Sequence, residues 1–419
     1  MIEMNRFLVL MVLASWPASA WAQGEPVSSG TITLNQVLDL AERASPEILA
    51  ARKKWDAAAQ RVRQAATPDK PRLDIERMYA PSGMNPVTSP DEKSVAVTQD
   101  IPFPSTLYLR RGVAAKDAAM AEQSYRAKLR EVVARARSTY AMLYLAHRSL
   151  EIFKENIDLM RRFAKVAESK YASGHAPQSD ALKAQVELTK MLNMNVILNQ
   201  DKESGQAMLN ALLGRDAREP LGTPAEPALQ ALAESPEELE SAALSGRPEL
   251  REAQLGAERG AKSLALARSE FLPDFMLQVR RRTDPMRGTT RDAIVGLSLP
   301  LWFWKPAAMV AEAKAEKEMS EAELAAMRLM TLSELRSALV RAQTSQRLAE
   351  TYRTSVLPQG EAALKVAEAG YQAEKTSFLD LLDAQRSLLN FRLEYYQYVT
   401  EHQVRVAELE RAVGRRLTP

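Results

Sequence analysis

The chain has 419 residues, 46% of them apolar and 26% charged, with a formal net charge of +3 and no cysteine. Such a balance belongs to a folded protein, and charge this evenly interleaved carries no nucleic-acid or polybasic membrane footprint. Without cysteine there is no disulfide, thiolate metal site, thiol nucleophile or lipid-modified cysteine.

The first segment, MNRFLVLMVLASWPASAWAQ from Met4, has Arg6, an apolar run and a small-residue ending at Ala22. That layout predicts a secretory signal peptide over residues 1–22 and a mature chain from Gln23, with Met4 as the initiator. Beyond it no run approaches the roughly 18 apolar residues of a membrane-spanning helix. The nearest, AIVGLSLPLWFW, is broken by Pro300.

The mature sequence is expected to be a tandem duplication. KVAESKYASGHAPQSDALKAQ (165–185) is echoed by KVAEAGYQAEKTSFLDLLDAQ (365–385), and Gly214-Arg215 by Gly414-Arg415. SPEI at Ser45 answers RPEL at Arg247, and Pro71 and Pro102 answer Pro273 and Pro300. The changes in spacing fall in loops, where insertions are tolerated. The first repeat then covers 23–215, a proline-rich linker 216–237, and the second repeat 238–419.

Each repeat opens with helix, at 36–70 and 238–271, interrupted by Pro46 and Pro248. Apolar residues then fall at alternate positions: Leu73, Ile75, Val95 and Val97 in the first copy, and Phe275, Leu277, Val279, Ala293, Val295, Leu297 and Leu299 in the second. These predict β-hairpins over 71–102 and 273–300, with strands of about ten residues, the length of a tilted membrane-spanning strand. A long helical run follows each pair, at 104–170 and 306–370; some 65 residues make a rod of roughly 100 Å. Leu150, Phe153, Ile157, Met160, Ala164, Ala167 and Tyr171 step by 3 and 4, as do Leu381, Ala384, Leu388, Phe391, Tyr395 and Tyr398, which is coiled-coil spacing. The echoed corners are therefore tips of antiparallel helical hairpins, at 171–178 and 371–377. Gly174 suits the left-handed end of one helix and Pro177 the first turn of the next, while Ser377 and Asp380 form a capping box.

The fold class is thus mainly α with a small β part. Four strands cannot close a barrel, and an open edge is not tolerated in lipid, so membrane insertion requires further copies of the chain. Two copies would supply eight strands and three would supply twelve.

SPEI, RPEL, the strand-to-helix joints DIPFPSTLYLRR and LPLWFWKPAAMVAEAKAE, and the tip stretch YQAEKTSFLDLLDAQRSLLN together resemble the TolC-type outer-membrane efflux channels over essentially the whole mature chain. The joints look most like the heavy-metal cation branch of CzcC- and CusC-like channels. The resemblance implies a homotrimer with a twelve-stranded barrel in outer-membrane lipid and a helical tunnel across the periplasm. Its partners would be a periplasmic adaptor (membrane fusion protein) and an inner-membrane pump of the resistance-nodulation-division (RND) class. Some members of that branch carry an acylated amino-terminal cysteine, which this sequence lacks.

The resemblance also assigns site residues. Asp380 and Asp383 match the acids of the LDxLDA pattern that line the periplasmic entrance; a solvated acidic helix start is the plainer reading of the spacing alone. Asp180 and Tyr371 match positions that hold the tips closed against an arginine of the neighbouring hairpin. That arginine falls at Thr376 here, so either the latch is lost or Lys375 replaces the arginine, with Asp180 as the expected partner. Ser173 and Gly174 in one tip, and Ala373 and Glu374 in the other, stand where adaptor tips dock.

No catalytic or cofactor site is expected: there is no phosphate-binding glycine loop, and His147, His175 and His402 have no ligand spacing. Met78, Met84, Met276 and Met286 read as strand and loop packing rather than a copper site. Arg280, Arg281, Arg282, Arg287 and Arg291 read as a solvated loop or as a contact for lipopolysaccharide phosphates. The expected function is passive conduction of substrates, heavy-metal cations foremost, out of a tripartite efflux system. Drug efflux or type I secretion is the alternative within the class, and a periplasmic coiled-coil adaptor or scaffold the alternative outside it.

Overall fold

The computed structural model describes residues 30–78, 92–229, 234–284 and 288–417. The expected signal peptide, Met84, Met286, Arg287 and most of the first hairpin loop lie outside these residues.

Two halves repeat one order of elements. The first contains β1 (Thr31–Ile32), α1 (Leu34–Ala44), α2 (Pro46–Ala65), β2 (Arg72–Met78), β3 (Glu92–Ile101), α3 (Pro104–Ala172) and α4 (Gln178–Leu212). The second contains β4 (Thr223–Pro224), α5 (Pro236–Gly246), α6 (Pro248–Ser269), β5 (Asp274–Asp284), β6 (Gly288–Ser298), α7 (Trp304–Thr351), α8 (Leu357–Gln372) and α9 (Phe378–Val413). Pro46 and Pro248 divide the opening helices, each at the first position of a new helix where its missing N–H costs nothing. Inside the expected linker, β4 pairs in parallel with β1, and Tyr140 Oη donates to Ile32 O (3.0 Å) and Ala225 O (2.8 Å) to tie this strap to α3.

α3 runs unbroken for 69 residues, about 100 Å. Its counterpart does not. A single α-helical rod was expected over 306–370, but the backbone widens into a π-turn at Tyr352–Val356 between α7 and α8. Pro358 is the physical reason: it has no N–H to donate, and its ring would press on the carbonyl of Thr354, so the helix inserts a bulge just before it. Tyr352 is the first residue of the widened turn, and its hydroxyl donates to Glu394 of α9 (2.7 Å).

The helices lie side by side. Near the strands, α3 packs against α2 and α6, and α6 against α7; toward the tips, α3 packs against α4 and α9. Polar links mark both levels: Lys116 pairs with Glu258 and Asp117 with Arg259 (2.6 Å) in the first, and Asn156 Oδ1 accepts from Gln385 Nε2 (2.9 Å) in the second. Of the 3–4 spaced residues, those from Phe153 to Ala167 are buried in the tip-half core with Phe378, Leu381, Leu382 and Leu389; Tyr371 closes its end, and Tyr171 is exposed.

The four long strands form one sheet in the order β2-β3-β5-β6. Leu73, Val97 and Val279 are paired neighbours on one face, as are Ile101, Phe275 and Leu297, and this face is exposed. Asp74, Glu76, Ser94, Thr98, Gln278, Arg280 and Asp292 occupy the other, where Gln278 donates to Thr98 (3.0 Å) and Arg280 pairs with Asp292 (3.1 Å). An apolar outer face over a hydrogen-bonded polar inner face is the pattern of a barrel wall in lipid. β2 and β6 remain free edges within the chain.

Glycine is required where each half closes. Gly214 and Gly414 have φ of 69° and 82°, and a Cβ there would stand 2.7 Å from Ala44 O and 2.6 Å from Gly246 O. These are the two Gly-Arg pairs of the sequence repeat.

Candidate gate at the hairpin tips

Both tips are helix–turn–helix corners of five residues, 173–177 and 373–377. The first turns through Gly174 at φ 78°. Its counterpart is Glu374 at φ 60°, the one non-glycine residue with positive φ among the described residues. A side chain in the left-handed region costs roughly 1–2 kcal/mol, so other contacts must hold this turn.

Those contacts come from the first hairpin. Lys170 Nζ donates to Tyr371 O at 2.8 Å and approaches Gln372 O at 3.4 Å, capping the carbonyl end of α8 with a positive charge from α3. It also lies 3.7 Å from the Glu374 carboxylate and 4.9 Å from the centre of the Tyr371 ring. His175 Nδ1 stands 3.5 Å from the same carboxylate. The second tip is thereby clamped to the first within one chain.

Tyr371 is buried beneath this clamp, its ring 5.3 Å from that of Phe378. Burial pushes its hydroxyl pKa up, and the charge of Asp180 adds to the shift. Asp180 stands at the start of α4 and accepts from Ser179 Oγ (3.5 Å). Lys375 and Asp180 form no ion pair with each other among the described residues. The reason is local: Thr376 packs over Gly370, its Oγ1 only 2.7 Å from where a Cβ would stand, and Lys375 N donates to Gly370 O (2.8 Å), leaving the Lys375 side chain exposed. Within the chain the bridging cation is Lys170.

Asp380 closes the expected capping box. Its Oδ2 accepts from Ser377 N (2.9 Å) and Ser377 Oγ (2.7 Å), while Asp380 N donates back to Ser377 Oγ (3.2 Å). The Ser377 hydroxyl, then its N–H, hold this carboxyl below the usual range. Asp383, one turn on, is exposed and has no ion pair among the described residues. The other tip lacks a side-chain cap: Pro177 occupies the N-cap position itself rather than the first turn of α4. Ser173 Oγ donates to Ser169 O (3.0 Å) and Lys170 O (3.1 Å), so it finishes α3, and Ala373 is exposed.

A second staple lies two turns from the tips. Glu187 of α4 is held by Arg386 of α9 and by Lys190 (3.0 Å). Burial pushes the Glu187 carboxyl up, but hydrogen bonds from Arg386 and Lys190 outweigh it and leave the pKa below its ordinary value. Neither Lys170 nor this staple was singled out in the sequence. The signal for Lys170 was a mismatch: its counterpart in the second copy is Gly370, so the two copies differ where they touch.

Among the described residues no group of three His, Asp or Glu is placed to hold a metal ion, and no helix is long and apolar enough to cross a membrane. His402 is buried against Ala342 O (3.2 Å), a core contact.

Both halves match one family description, "Outer membrane efflux protein", over residues 37–215 and 239–415. The chain belongs to this family. It is an outer-membrane efflux channel and not an enzyme. This efflux protein is 23% identical to the cobalt-zinc-cadmium resistance protein CzcC of Cupriavidus metallidurans over 390 residues, 93% of this chain and 91% of CzcC. Its fold is similar to that of CusC, with a TM-score of 0.80 at 18% identity, covering 91% of this chain and 92% of the other. VceC of Vibrio cholerae superposes with a TM-score of 0.76 at 18% identity, over 92% and 97% of the two chains.

Proposed function

We propose that this efflux protein works as a homotrimer that conducts heavy-metal cations outward, receiving them from an RND-type inner-membrane pump through a periplasmic adaptor. The observation that carries the assembly is the sheet: four strands with an apolar outer face and two free edges need other copies to close. Three copies give twelve strands and surround one pore. The metal substrate is supported by the likeness to CzcC along nearly the whole chain.

In this reading Asp383 and Asp380 of three chains ring the periplasmic entrance, where their carboxylates raise the local concentration of cations and repel anions. Asp380 also caps α9, so Asp383 is the acid that can be neutralised without disturbing the helix start. Tyr371, Asp180 and Lys375 would contribute to tip closure, with Lys375 exposed and able to reach a neighbouring chain. Ser173, Gly174, Ala373 and Glu374 form the exposed corners that an adaptor would grip. The sequence has no phosphate-binding glycine loop, and in this reading the partners supply the energy for transport.

The test is growth of a deletion strain on cobalt, zinc, cadmium, nickel, copper and silver salts beside dyes, detergents and antibiotics. Selective metal sensitivity, restored by the wild-type protein, is the expected result. Sensitivity to organic compounds alone would overturn the metal substrate and keep the channel.

A further inference from the structure

The sheet separates its charges by face. Asp74, Glu76, Glu92, Asp100 and Asp292 alternate out of phase with the exposed apolar residues and so share the polar inner face. Two arginines of that face are neutralised there: Arg280 pairs with Asp292 (3.1 Å) and Arg282 with Glu92 (2.5 Å).

The outer face has no such balance. One row across it reads Ile75, Val95, Arg281 and Arg291, and the next row toward the hairpin loops reads Arg77, Lys93, Thr283 and Thr289, all of them exposed. Arg281 stands directly opposite Arg291, and Arg77 opposite Lys93, so two like-charge pairs lie side by side and each repels. Lys93, Arg281 and Arg291 form no ion pair among the described residues, and the alternation puts no carboxylate on this face. The hydroxyls of Thr283 and Thr289 pair with each other (3.2 Å), which leaves one O–H able to donate outward. Guanidinium, ammonium and hydroxyl groups together, with no acid among them, are the chemistry of a phosphate site.

The place in the sheet says which phosphate. The row before the arginines is Leu73, Val97, Val279 and Ala293, about 7 Å away along the strands, so the cations begin where the apolar face ends. The long helices leave from the other end of the sheet, which in the channel reading turns the cationic end to the outward-facing leaflet. Cations on a lipid-facing wall are tolerated close to the headgroups, and an anionic headgroup there converts the cross-strand repulsion into attraction. The arginines between 280 and 291 thus divide by face: Arg280 and Arg282 serve the protein, and Arg281 and Arg291 are left for a ligand.

We infer that Arg281 and Arg291, with Lys93, Arg77 and the Thr283–Thr289 hydroxyls, form a binding site for the phosphate groups of lipopolysaccharide in the outward-facing leaflet. This rests on the membrane-embedded channel reading.

The test titrates the purified oligomer of the full chain, in detergent, with bisphosphorylated lipid A and with the same lipid stripped of its phosphates, and counts bound lipid by native mass spectrometry. The wild-type protein should take up the phosphorylated form, and Arg281→Gln/Arg291→Gln should bind it about tenfold more weakly, while Arg280→Gln on the inner face binds as wild type does. Lys93→Gln, on a neighbouring strand, supplies a second and smaller loss, and an unheated gel reports the oligomer for every variant. Equal uptake of the stripped lipid, unchanged binding by the double variant, or equally tight binding of inorganic phosphate overturns the lipid-phosphate site. A wild-type oligomer that takes up neither lipid A nor phospholipid overturns the membrane reading itself.

Discussion

The two hairpin tips share a sequence pattern and do different jobs in the same contact. The first has a glycine at its left-handed position and a lysine one turn before it; the second has Glu374 and Gly370 at those places. The difference at these two matched positions makes the contact: Lys170 reaches the carbonyl end of α8 and the acid of the strained turn. The cap at Ser377 then secures the second tip from the other side, where the first tip has only Pro177.

That asymmetry can be broken in graded steps. The largest effect is expected from Arg386→Ala, which leaves Glu187 largely buried without its main partner and costs about 2–3 kcal/mol in the tip half. Hydrogen exchange of α4 and α9 would show it as lost protection. Acid gives the same staple a sign: the folded-state pKa of Glu187 lies below its ordinary 4.5, so its contribution is complete above that pH and is lost as pH falls through the lowered folded value. Thermal melts between pH 7 and pH 3 should therefore lose an increment in wild type that Arg386→Ala has already lost.

Lys170→Ala comes next, at about 1.5 kcal/mol for a charge-assisted bond to a helix end. Faster exchange at 371–376, with 173–177 less affected, is the expected pattern; equal loosening of both tips would contradict the clamp. Gly174→Ala should cost about 1 kcal/mol from backbone strain alone, because nothing lies within 4 Å of its added Cβ. Glu374→Gly is the smallest: relief of strain offsets the lost Lys170 and His175 contacts, leaving stability within about 0.5 kcal/mol of wild type by melting.

Most of the architecture was legible because the chain writes each pattern twice. Alternation at Leu73, Ile75, Val95 and Val97 and the 3–4 steps from Leu150 to Ala167 are local signals, and the capping box at Ser377 and Asp380 is four residues long. The π-turn was missed because Pro358 was read within a continuous helical period, although its effect on Thr354 is also local. The tip clamp and the Glu187–Arg386 staple were missed for a different reason: they join residues about 200 positions apart, and only the packing of α3, α4, α8 and α9 brings them together. Thr376 was read as a lost latch, whereas its packing over Gly370 gives it a use within its own tip.

Cation selection at the tips is read from the reversal potential of purified protein in a planar bilayer under a potassium chloride gradient. Wild type should conduct with a cation-selective potential, and Asp383→Asn, which spares the Ser377 cap, should move it toward zero without loss of the oligomer. No conductance from intact oligomer would mean that the protein is not a channel, and a potential unchanged by Asp383→Asn would mean that Asp383 does not select the ions.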